Sequence, residues 1–106
     1  MRVAKSSGNV FADIGFGKRD AEELAVKSDL ITLLSRAIRS SKLTKDRAAK
    51  LCGTDQPTLS KVLRGRLDSV TIDRLTRWIV ALGGRVCITV EEPRHLKKGS
   101  ITVQRL

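Results

Sequence analysis

The chain has no tyrosine, one tryptophan, two phenylalanines and a single histidine in 106 residues. The aromatics are Phe11, Phe16 and Trp78. One histidine, His95, cannot build a metal cluster with the two cysteines, and it lies outside any pattern that would pair a base with a nucleophile. Cys52, on an inward helical face, and Cys87, in a predicted strand, do not form a disulfide framework; reduced thiols in a cytosolic protein are the expectation. No apolar run is long enough for a membrane span, and the N-terminus lacks the apolar core of a secretion signal. No glycine-rich phosphate loop is visible. These absences argue against an enzyme and against a bound cofactor or metal.

Basic charge, by contrast, is abundant. The formal net charge is +10, which suggests a polyanionic partner. It is unevenly spread. From Ser40 to Arg66 seven Lys/Arg (42, 45, 47, 50, 61, 64 and 66) oppose only Asp46 and Asp55, a net +5. From Asp20 to Arg39 the balance is −1. A field gathered on one stretch is what contact with phosphates requires.

That stretch, LTKDRAAKLCGTDQPTLSKVLRG from Leu43 to Gly65, predicts two short helices joined by a tight turn. Thr44 is placed to cap the first, over Lys45 to Cys52. Gly53 stops it, since glycine takes the left-handed conformation without steric penalty. Asp55 caps the second, and Pro57 sits in its first turn, where a missing N–H costs nothing. Leu59, Val62 and Leu63 repeat at helical spacing, with small Ala49 allowing a close crossing. The pattern is a helix-turn-helix, whose second helix enters the DNA major groove. An ordinary helical hairpin would share the spacing. The hydrogen-bonding residues at the outward positions of the second helix favour DNA: Gln56, Thr58, Ser60, Lys61 and Arg64. The Gln56 amide can donate to and accept from adenine as a bidentate pair, and Thr58 offers a methyl to thymine. Ser60 is expected on the same exposed side. Lys45, Lys61, Arg64 and Arg66 are the expected phosphate contacts, which set affinity and register.

Around this core the chain reads simply. Residues 1–19 form an N-terminal arm, polar and flexible to Asn9. Its VFADIGF segment then concentrates Val10, Phe11, Ile14 and Phe16, which either fold back on the core or form a docking peptide. Residues 20–92 form the domain. Asp20 is expected to cap a long first helix to Ser40, with Leu24, Leu30, Ile31, Leu34 and Ile38 on its apolar stripe. Thr71 caps a fourth helix with Ile72, Leu75, Ile79 and Leu82 on one face; Trp78 beside them belongs to the core or a dimer interface. Gly83-Gly84 ends it. RVCITVE, from Arg85 to Glu91, alternates with Val86, Ile88 and Val90 on one face, the pattern of a β-strand. One strand needs a partner. Either ITVQRL in the 93–106 tail returns as a hairpin, or the same strand of a second chain pairs with it. The expected fold is thus mainly α: a four- to five-helix domain built on the helix-turn-helix, with a C-terminal β-strand and a flexible N-terminal arm. Trp78, Val86, Ile88 and Val90 are the dimerisation candidates.

The succession NVFADIGF, DAEELAVKSDL, LTKDRAAKLCGTDQPTLSKVLRGRL and TIDRLTRWIVALGGRVCITV resembles small antitoxins of the HigA type, among the Cro/C1 (XRE) helix-turn-helix proteins. The resemblance spans about Asn9 to Glu92. It implies a protein that neutralises a RelE/HigB-like ribonuclease toxin and represses its own operon by binding operator DNA as a homodimer. It gives Val10, Phe11, Ile14 and Phe16 a role as toxin contacts, and implies a cytoplasmic location. Lys45, Asp46 and Arg47 depart from the Glu or Gln common near the start of the second helix in that family. A stand-alone Cro/C1-type repressor without a toxin is the alternative.

Overall fold

The computed structural model describes residues 17–93 and 98–106; the Val10–Phe16 cluster and His95 lie outside them. Among the described residues there are four α-helices: α1, Lys18–Ser40; α2, Lys45–Cys52; α3, Gln56–Leu63; and α4, Ile72–Ala81. A 3-10 turn, Leu67–Ser69, joins α3 to α4.

Local chemistry explains most helix ends. Thr44 Oγ1 accepts from Arg47 N at 3.1 Å, Asp55 Oδ1 from Thr58 N at 2.7 Å, and Thr71 Oγ1 from Arg74 N at 3.1 Å. Each side chain satisfies one of the N–H groups that a helix start leaves without a carbonyl. Gly53 closes α2 at φ 72°, in the left-handed region, and Thr54 N then bonds back to Ala49 O at 2.9 Å. A side chain at Gly53 would be strained there. The start of α1 differs from expectation. Gly17 caps it without a side-chain bond, and Asp20 lies within its first turn, where its charge complements the helix dipole.

The core runs between the helices. Leu34 of α1, Leu59 and Val62 of α3 and Leu75 of α4 are its largest fully buried side chains. Buried Ala48 and Ala49 let α2 lie close beside α3. The long α1 packs most extensively against α4. Trp78 is 3% exposed and part of this core, so the dimer-interface role expected for it gives way to a packing role. The Arg74 guanidinium lies 6.0 Å from its ring centroid.

The C-terminal strand expected at Arg85–Glu91 is corrected. Residues 84–93 take up no regular secondary structure, and no strand occurs among the described residues. A strand exists only where a ladder partner satisfies its N–H and C=O groups. The returning segment does not serve as that partner: Val103 packs against the helical core and Arg105 lies beside Leu33, Arg36, Ala37 and Ser40 of α1. Gln104 is the one described residue in a β-bridge. Ile88 and Val90 are left 85% and 78% exposed. Gly84 sets where this segment departs, since a Cβ there would meet Ile79 Cγ2 at 2.6 Å.

Candidate nucleic-acid interface

The interface grows from the two caps. Asp55 starts α3, and hydrogen bonds from the Thr58 backbone and side chain, with the nearby Lys61 charge, hold its carboxyl below the ordinary carboxylate range. A charged carboxylate is the stronger acceptor for a helix-start N–H. Leu59 and Val62 then bury one face of α3, which turns Gln56, Thr58, Lys61 and Arg64 toward the surface. Gln56 and Thr58 are half-buried; Lys61 and Arg64 are exposed, as are Lys45 at the start of α2 and Arg66 beyond α3.

Ser60 departs from this pattern. It is 5% exposed, not on the open side of the helix. Its hydroxyl oxygen accepts from Gln56 Nε2 at 2.8 Å. The helical position explains this: Ser60 lies between the buried Leu59 and Val62, and four residues from Gln56, which places the two side chains one above the other.

All seven Lys/Arg between residues 42 and 66 are exposed. The two ion pairs among the described residues, Lys27–Glu23 at 3.3 Å and Arg77–Asp73 at 3.0 Å, use none of them. The positive field of α2 and α3 therefore faces solvent without a close ion pair among the described residues, although Lys61 acts on Asp55 through its nearby charge, and such a surface attracts phosphates over a Debye length.

Sequence reasoning missed Lys27. It is buried, and its Nζ donates to Leu67 O at 3.1 Å while pairing with Glu23. It ties α1 to the turn after Arg64 and Arg66. Ser69 Oγ donates to Arg66 O at 2.7 Å and fixes the same turn from the other side. A signal was present: Leu30, Ile31 and Leu34 follow Lys27 at spacings of three, four and seven, placing the lysine on the apolar stripe. Among the described residues no group of three or more His, Cys, Asp or Glu could hold a metal. No described helix is long and apolar enough to cross a membrane.

Comparison with known proteins agrees with this geometry. A family model described as a helix-turn-helix domain matches residues 10–91. The chain is also similar to a solved structure, "Putative XRE Family Transcriptional Regulator", at 30% identity and a TM-score of 0.73, covering 82% of this chain and 99% of that one. The chain belongs to the XRE-type helix-turn-helix family. No curated protein matches it. Within this helix-turn-helix domain α2 is the first motif helix and α3 the second, the helix that enters the groove in such motifs.

Proposed function

We propose that this XRE-type protein is a DNA-binding transcriptional regulator, and specifically the antitoxin of a toxin–antitoxin pair that represses its own operon. The observation that carries the DNA-binding reading is the exposure of all seven cations on and beside the two motif helices. Gln56 and Thr58 at the start of α3 meet base edges; Lys45, Lys61, Arg64 and Arg66 meet phosphates. The protein acts as a homodimer, since one α3 reads one half-site and operators of such motifs are two-fold. The unpaired 84–92 segment, with Val86, Ile88 and Val90 on one face, joins its counterpart in a second chain and so gains the ladder it lacks. The antitoxin reading rests on the HigA-type resemblance. The match to the family model begins at residue 10, so the segment holding Val10, Phe11, Ile14 and Phe16 belongs to the matched span; these four side chains contact a RelE/HigB-like toxin.

Two measurements test this. Fluorescence anisotropy against duplex DNA across a salt series should give a log–log slope of about −0.9 per phosphate contact. A salt-insensitive affinity would sink the electrostatic basis. Co-expression with the neighbouring open reading frame and pull-down should recover a complex that removing residues 1–16 abolishes, while operator binding persists. A truncated protein that still captures and neutralises the toxin would move the inhibitory surface to the helical domain. DNA binding with no captured partner would favour the stand-alone repressor.

A further inference from the structure

The Gln56–Ser60 hydrogen bond has a consequence for which base α3 reads. A glutamine amide has one acceptor oxygen and two N–H donors, and it can rotate to present either end. Adenine offers an acceptor, N7, beside a donor, N6; guanine offers two acceptors, N7 and O6. A free glutamine can therefore serve both purines, pairing oxygen and one N–H with adenine or turning both N–H groups to guanine. A serine hydroxyl can donate as well as accept, so it is the direction of the Gln56–Ser60 bond, with Nε2 toward Ser60, that sets the choice in this structure. Gln56 Nε2 donates to Ser60 Oγ at 2.8 Å, and Ser60 is 5% exposed. A buried hydroxyl held in the middle of α3 is a fixed anchor, unlike a surface side chain that shifts to suit a ligand. One N–H is consumed. What remains is the oxygen and a single N–H, the complement of adenine.

We propose that Ser60 is a positioning residue for base readout: by holding one amide N–H of Gln56, it makes α3 prefer adenine over guanine at the base pair Gln56 meets. This rests on the reading of Gln56 as a base contact, and deepens it. Ser60 touches no base itself.

The test uses the full-length protein and a duplex selected by the wild type from a randomised library, together with all its single-base variants. Three proteins are compared: Ser60→Ala, Gln56→Ala and the double variant, each with a thermal melt to establish folding. The Gln56→Ala profile locates the base pair that loses discrimination. At that pair the wild type should prefer adenine, and Ser60→Ala should lower the adenine-to-guanine preference by about three- to tenfold, part of what a bidentate contact supplies. Binding to non-specific duplex should be unchanged, and Ser60→Ala should have no further effect when Gln56 is already alanine. Several results would overturn the proposal. Undiminished adenine preference in Ser60→Ala would remove Ser60 from readout while leaving Gln56 in it. A guanine preference at Gln56's position would reverse the direction of the amide. An equal loss on every duplex would reduce Ser60 to packing. If Gln56→Ala itself keeps the wild-type profile at every position, the base-contact reading fails, and Ser60's role with it.

Discussion

The helical body from Lys18 to Ala81 and the segment from Gly84 to Glu92 are both patterned with apolar residues, yet only the body encloses them fully. In the body, Leu34, Leu59 and Leu75 are fully enclosed. In the segment, Ile88 and Val90 stand in solvent although their alternation is as regular as any helical stripe in the chain. The difference lies in the backbone. A helix satisfies its N–H and C=O groups internally and needs only a surface to lie against, which α1 and α4 give each other. A strand satisfies its groups only across a ladder. Apolar pattern therefore produces structure within one chain for the helices, and does not do so for the segment.

The largest expected effect separates the two regions directly. Leu75→Ala should lower the unfolding free energy by about 2–5 kcal/mol, as removal of an enclosed leucine does, whereas Ile88→Ala should leave the melting curve of dilute protein nearly unchanged. Denaturant titration with circular dichroism checks both. Equal losses would break the comparison, because they would show the segment to be part of the core.

A charge on the segment should act on assembly instead. Ile88→Asp is expected to weaken self-association at least about tenfold, since it places an unpaired charge in the proposed interface, while helical content stays at the wild-type level. Sedimentation velocity over a concentration series measures this. A dimer unaffected by the aspartate would place the two-fold contact elsewhere on the molecule.

Smaller changes sharpen how self-sufficient the body is. Thr71→Ala removes the side-chain cap of α4 and should lower stability by about 1 kcal/mol. The effect is to be read by denaturant midpoint; Thr71→Ser, which retains the hydroxyl, should recover most of it.

The finest effect is in pH. The Asp55 carboxyl is held below its ordinary value of 3.8 in the folded protein. A depressed carboxylate contributes stability above its unfolded value and loses it as pH falls through the lower folded value. Asp55→Asn should therefore be less stable than wild type at neutral pH, with the gap closing below pH 3.8. Thermal melts of the pair between neutral and strongly acidic pH test it, with the difference at each pH as the readout. The comparison cancels Asp29, whose carboxyl burial pushes up and which therefore contributes with the opposite sign. A constant gap would mean that Asp55 caps α3 no better charged than neutral.

Much of the molecule follows from residues within four positions of one another. The starts at Thr44, Asp55 and Thr71 and the left-handed stop at Gly53 are local events, governed by side chains reaching their own backbone, so they are readable from sequence alone. The same holds for the apolar stripes and for the clustering of charge between residues 42 and 66, and these together mark the helix-turn-helix and its basic face. Other features depend on contacts between residues far apart, or on which way a helix rolls against its neighbours. Whether Trp78 is enclosed or presented depends on the packing of α4 within the core. Lys27 has its meaning only because a carbonyl forty residues away lies 3.1 Å from its Nζ. Ser60 and Lys61 are adjacent and both polar, yet the roll of α3 on the core buries one and exposes the other. The segment at 84–92 has the composition of a strand, but pairing is a relation between two backbones, and in ITVQRL Val103 instead packs against the helical core while Arg105 lies beside α1. Local hydrogen bonding is encoded where it occurs; burial and strand pairing are properties of an arrangement, and only the assembled helices decide them.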